Sequence, residues 1–199
     1  MHTDALRILC ISPVFPPLAD AESFCGGKMV LALQQAGVDM VVLRDHPSCW
    51  DRSIDPSSCW STLADPNCEV RVSRTRNKPW ALLLGVRYLS LIMGRPVHAY
   101  VRRALQLHRE KPFHLVYSRS LPMQAQIIGY WCSQVLGVPW VANVNDPWDL
   151  HLFPEADRKA PSWIYGVISK CWLQKTLASA TLVTYPSARL RDFHVRLSG

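Results

Sequence analysis

Short apolar runs bounded by turn-forming residues alternate along this chain with stretches whose apolar positions recur at helical spacing. The first run, Ile8-Leu9-Cys10-Ile11, breaks at Ser12-Pro13 and opens a proline-rich loop through Phe15, Pro16 and Pro17. A polar segment to Ser23 follows, then a helical pattern with Met29, Val30 and Leu33 on one face, a stop at Gly37, and a second run, Met40-Val41-Val42-Leu43. Strand, loop, helix, glycine stop and strand predict a βαβ unit with a right-handed crossover. In such a unit the crevice lies beyond the carboxyl end of the first strand. Ser12 to Gly27 is therefore expected to form one wall of any site.

The same alternation continues. After a long proline-bearing loop, Arg44 to Asn67, come a short strand, Glu69 to Arg74, and one or two helices between Trp80 and Arg109, broken near Gly94-Arg95-Pro96. His114 to Ser118 reads as a buried strand leaving through Ser118-Arg119-Ser120, and Pro122 stands at the start of a helix that runs to Gly137. Val138 to Val144 is the next strand, with the exit Asn145-Asp146-Pro147-Trp148. A helix from about Ser162 to Ser179, the strand Thr181 to Tyr185 and a short last helix complete the series. About six strands alternating with helices predict an α/β fold with a doubly wound, mostly parallel, Rossmann-like sheet.

Composition narrows the classes. With 199 residues and 49% hydrophobic content the chain can bury one core, so a single domain is expected. Its seven cysteines are an odd number without the close pairs of a zinc knuckle, which predicts free thiols in a reducing cytoplasm. Met1 to Arg7 lacks the apolar core of a secretory signal. The apolar stretch Trp80–Met93 contains Arg87 and falls short of the ~18 residues that a bilayer span needs. The net charge of +7 favours an anionic partner. No reading helix or RNP-type motif accompanies that charge, so nucleic acid is not expected. With basic residues at both flanks, Trp80–Met93 fits either an interfacial membrane segment or a core-packing helix.

Candidate chemistry follows from topology. The loops Ser12 to Gly27, Ser118 to Pro122 and Asn145 to Trp148 all leave strand carboxyl ends, so they should converge on one sheet edge. Gly26-Gly27 matches neither a dinucleotide fingerprint nor a P-loop, which disfavours hydride transfer and NTP hydrolysis. Glu22 and Ser23 can bind ligand hydroxyls there; alternatively Asp20 or Ser23 caps the helix and the two glycines permit close packing. Asp146, at a strand end before a proline, suits contact with a hydroxyl or an Asx-turn. Arg119 between two serines suits a phosphate or an ion pair with a carboxylate. The set Asp146, Asp149 and His151 lacks a supporting cluster, so no metal site is expected. No histidine pairs with a nucleophile, and no G-x-S-x-G elbow is present.

Taken in order, these pieces resemble the N-terminal domain of family-4-like glycosyltransferases. The resemblance rests on Phe15-Pro16-Pro17, the helix end Leu31 to Gly37 with Val41-Val42-Leu43, and His114 to Ser120. It continues through Leu136-Gly137-Val138-Pro139-Trp140-Val141 with Asp146-Pro147-Trp148, and Ala180 to Thr184. It departs where Asp20, Ala21 and Glu22 replace the usual glycines and where Val38 replaces a histidine. The resemblance implies a single domain over residues 1–199 equivalent to the N-terminal, acceptor-side half of a GT-B fold. The second, nucleotide-sugar-binding domain would then be supplied in cis or in trans. It further implies transfer of a sugar from a nucleotide-sugar donor to a sugar or lipid-linked acceptor, with retention, no metal and no cofactor beyond the donor as co-substrate. Expected site residues are Asp146 at the reacting hydroxyl, with Glu22, Ser23, Gly26, Gly27, Ser118, Arg119, Asn145 and Trp148 binding substrate. A cytoplasmic enzyme touching the membrane surface through Trp80–Met93 would fit. The alternative is a stand-alone α/β binding or partner protein without catalysis of its own.

Overall fold

The computed structural model describes residues 5–49, 54, 63, 69–70, 95–120, 123–147 and 162–198. Its strands are β1 (Arg7–Ile11), β2 (Asp39–Asp45), β3 (Glu69–Val70), β4 (Leu115–Arg119), β5 (Trp140–Asn143) and β6 (Leu182–Thr184). All pair in parallel, in the order β3-β2-β1-β4-β5-β6. The helices are α1 (Ala21–Gln35), α2 (Arg95–Glu110), α3 (Gln124–Leu136), α4 (Ser162–Ser179) and α5 (Ala188–Ser198). This is the doubly wound α/β arrangement, with strand order reversing between β1 and β4. The helical stretch expected from Trp80 onward is described from Arg95, where Pro96 occupies the first turn. Trp80–Met93 and the rest of the strand expected to run to Arg74 lie outside the described residues.

The sheet is buried on both faces, so its central strands are apolar throughout rather than alternating. β1 is buried at every position. Ile8 and Cys10 join Met40, Val42, Phe15 and Val30 under α1, and burial pushes the Cys10 thiol up to about 12. Leu9, Ile11 and Leu43 face the other way, into a core with Tyr100, Ala104, Val116, Ile128 and Trp140. The buried stripe of α1 is Ser23, Gly26, Gly27 and Val30, while Met29 and Leu33 sit half-buried at its margin. Small residues at one helical spacing bring this turn close to the sheet. Asp20 caps α1, its carboxylate accepting the Glu22 N–H at 3.0 Å. Both expected stops occur at residues in the left-handed region, Gly37 at φ +87° and Gly137 at φ +66°, where a side chain would be strained.

The β1–α1 loop is fastened down. The Ser12 N–H donates to Leu43 O at 3.0 Å and its hydroxyl to Val14 O at 3.0 Å. The Asp45 N–H donates to Pro13 O at 3.2 Å, and buried Arg44 donates to Pro16 O. Tyr100 of α2 closes the end of β2 by donating to Asp45 Oδ1 at 2.7 Å. No described helix is long and apolar enough to cross a membrane.

Candidate functional site

The crevice at the switch point is built from the start of α1 and the carboxyl ends of β4 and β5. In β4, side chains alternate between the two faces of the sheet. Val116 and Ser118 point toward α3, and Leu115, Tyr117 and Arg119 toward α1. Arg119 Nε lies 2.7 Å from Glu22 Oε1 of the first turn of α1, with the two side chains only 9% and 11% exposed. Gly26, one turn further along α1, leaves room for this arginine: a Cβ there would stand 3.5 Å from Arg119 Nε and 3.4 Å from Phe15 Cδ2. Of the two uses open to Arg119, an ion pair with a carboxylate is the one present.

The exit of β5 brings Asn145 and Asp146 to the same place, both half-buried. Burial pushes the Glu22 carboxyl above its ordinary 4.5, and the charge of Asp146 adds to the effect, while Arg119 and the Asn145 side chain oppose it. Glu22 thus interacts with Arg119, Asn145 and Asp146 together, and an ion pair joins it to Arg119. Tyr117 borders this group, its phenol pushed up to about 12 by burial and by Cys10, with Arg119 opposing. Such a group can accept hydrogen bonds from ligand hydroxyls through Asp146 and Asn145. It offers little positive charge to spare for a phosphate, because the arginine is already engaged.

The other expected site residues are placed differently. Ser118 is fully buried and turned away from the crevice: it donates to Gln126 Oε1 at 2.5 Å and accepts from Trp140 Nε1 at 2.7 Å. The Ser118 hydroxyl is thus engaged in the core, as donor and as acceptor, on the face of β4 away from the crevice. Ser23, Gly26 and Gly27 lie in the helix–sheet interface, as the packing alternative for the two glycines predicts, and Ser23 is 0% exposed. Trp148 falls outside the described residues, as do Asp149 and His151. Among the described residues no group of three or more His, Cys, Asp or Glu could hold a metal ion. The described cysteines 10, 25, 49, 132 and 171 are free thiols. His98 is exposed and His108 half-buried, its Nδ1 accepting the Phe113 N–H at 3.0 Å.

Sequence reasoning passed over Ser120. It is fully buried, its hydroxyl accepts the Asn145 N–H at 2.7 Å, and its own N–H donates to Asn143 O at 2.9 Å. A serine directly after a buried strand is a weak signal, since nothing in the sequence says which loop it will meet.

Comparison with known proteins decides the family. The model of the glycosyl transferase 4-like domain matches residues 27–199. The chain belongs to that family. No curated protein matches the sequence. Among solved structures, this glycosyl transferase 4-like domain is similar to a UDP-N-acetylglucosamine 2-epimerase, with TM-score 0.56 and 12% identity over 98% of this chain and 46% of that one. It is also similar to a proposed UDP-N-acetylglucosamine 2-epimerase from Listeria monocytogenes, with TM-score 0.52 and 6% identity over 96% of this chain and 42% of that one. At such identities the likeness is one of fold, of the GT-B type. The chain spans less than half the length of either structure.

Proposed function

We propose that this glycosyl transferase 4-like domain is the acceptor-side half of a GT-B glycosyltransferase that moves a sugar from a nucleotide-sugar donor to an acceptor hydroxyl. The observation that supports this most is the meeting of Glu22, Arg119, Asn145 and Asp146, from three separate elements, at the switch point of the sheet. In this reading Asp146 accepts a hydrogen bond from the reacting hydroxyl and Asn145 holds a neighbouring one. The bond from the acceptor oxygen to the anomeric carbon forms as the bond from that carbon to the donor phosphate breaks. The hydroxyl proton leaves with the departing nucleoside diphosphate, configuration is retained, and no metal takes part. The Glu22–Arg119 pair braces α1 against β4 and fixes the crevice width. The donor is gripped by a second domain, in cis or in trans, and the reaction runs at the cytoplasmic face of a membrane.

The test is Asp146→Ala in the native protein, assayed with a panel of nucleotide sugars. Transfer is expected to fall at least roughly 100-fold, the scale of a lost acid–base or hydroxyl-orienting group, with the urea midpoint unchanged. Near wild-type transfer would remove Asp146 from the mechanism. The alternative is a binding or partner protein without chemistry. Saturable nucleotide-sugar binding without turnover, whichever partner chain is added, would establish it.

A further inference from the structure

A hydrogen-bond chain, buried at its inner end, runs from the core to the backbone of the crevice. Trp140 Nε1 can only donate, and it donates to Ser118 Oγ at 2.7 Å. The single Ser118 hydroxyl hydrogen therefore goes onward, to Gln126 Oε1 at 2.5 Å. That fixes the Gln126 amide so that Nε2 faces Asn143 O, a pure acceptor, at 2.7 Å. Asn143 O takes a second donor, the Ser120 N–H at 2.9 Å, which fills both of its lone pairs. Ser120 Oγ in turn accepts the Asn145 N–H at 2.7 Å. Ser118, Ser120 and Gln126 are 0% exposed and Trp140 is 1% exposed, so the Trp140–Ser118–Gln126 links are shielded from water, while the links to Asn143 and Asn145 are part-buried.

We infer that Ser120, backed by Gln126, is a positioning residue: its hydroxyl anchors the Asn145 backbone and so sets where Asp146 stands in the crevice. The catalytic consequence rests on the function proposed above; the anchoring does not. β5 ends at Asn143, and past that residue the Val144 N–H to Thr184 O bond at 2.9 Å, the packing of Val144 against Met123 and Leu173, and the Ser120 contact tie the exit to its surroundings, the Ser120 contact being the one made to the Asn145 N–H. Removing the Ser120 hydroxyl leaves the Asn145 amide without its acceptor. Neither Ser120 nor Gln126 touches the crevice ligand in this scheme.

The experiment compares Ser120→Ala with Ser120→Thr in the native protein, by amide hydrogen exchange and by transfer kinetics. Ser120→Ala is expected to speed exchange of the Asn145 amide roughly 10-fold, the equivalent of one net hydrogen bond, with the amides of β1 and β4 unchanged. It is also expected to lower kcat by a similar factor with KM within about twofold, since ground-state binding survives while Asp146 is misplaced. Ser120→Thr, which keeps the oxygen, should restore both. If the added methyl prevents folding, Gln126→Met, which cuts the same chain two links earlier at Asn143 O, should also speed exchange at Asn145. Unchanged exchange at Asn145 in Ser120→Ala, or faster exchange spread evenly over the sheet, would overturn the anchoring. Faster exchange with unaltered transfer, in a protein that Asp146→Ala inactivates, would overturn the positioning role and leave the proposed function standing. Normal transfer by Asp146→Ala would instead overturn that function and leave the anchoring intact.

Discussion

Ser118 and Arg119 are consecutive in β4, yet the regions on either side of them are built differently. On the Ser118 side everything is closed: the hydroxyl lies between Trp140 and Gln126, and a Cβ on Gly129 would stand 2.6 Å from Ser118 Cβ and 2.8 Å from Trp140 Nε1. On the Arg119 side the contacts are ionic, and the glycine that faces it, Gly26, would accept a Cβ at 3.4 Å or more. One strand thus supplies scaffold to one face and site to the other, and only side-chain parity decides which residue does which. Near neighbours in sequence need not share a role at a strand end.

The largest expected effect comes from breaking the ionic side. Arg119→Met leaves the buried Glu22 carboxylate without its counter-ion and next to Asp146. The expected loss is about 3–5 kcal/mol, the scale for removing one partner of a buried pair. Urea unfolding at neutral pH measures it, and a loss below about 1 kcal/mol would class the pair as a surface one. The closed side should yield next. Gly129→Ala is expected to cost about 1–3 kcal/mol by overpacking, because the obstructing atoms belong to a strand and a fully buried indole. If thermal unfolding shows no change, α3 can slide, and the rigidity assigned to that face is wrong.

Acid–base behaviour sharpens the comparison further, since Glu22 has the raised carboxyl of the crevice. Its folded-state value lies above the ordinary 4.5, so between that value and the raised one the folded state holds a proton that the unfolded chain has lost. The favourable contribution is therefore fully present below 4.5 and is lost as pH rises through the folded value. Glu22→Gln should flatten this falling segment of the stability–pH curve. An unaltered slope would assign it to another group.

Much of this arrangement was legible in the residues. The glycine stops at Gly37 and Gly137, the strand–helix alternation and the rule that strand carboxyl ends gather at one edge were enough to bring Glu22, Arg119, Asn145 and Asp146 together in expectation. The facing of Ser118 was not legible. Alternation reveals a face only where one side of a sheet is polar, and β4 is covered on both sides, with Val116 and Tyr117 apolar in succession. Ser120 was illegible for a related reason: its partner, the Asn145 N–H, is fixed by strand register across β4 and β5, which a single sequence does not state. In the stripe Ser23, Gly26, Gly27 the close packing of the two glycines stood as one of two open readings and the burial of Ser23 went unread, because a helix face that buries small residues leaves no apolar periodicity to read.

That stripe supplies the smallest effect and the finest test. Gly26→Ala adds a methyl at 3.4–3.6 Å from Phe15 Cδ2 and from Arg119 Nε and Cδ, which is ordinary van der Waals contact. Alanine also gains up to about 1 kcal/mol of helix propensity over glycine. The expected outcome is therefore a domain as stable as the parent or more stable by up to about 1 kcal/mol, with the Glu22–Arg119 pair undisturbed. The same substitution at Gly129 should move stability in the opposite direction, although both glycines are buried in helices that face β4. Should Gly26→Ala prove as costly as Gly129→Ala, the arginine's seat would be as tightly packed as the serine's. The contrast between an adjustable ionic face and a closed scaffold face would then collapse to a difference in chemistry alone.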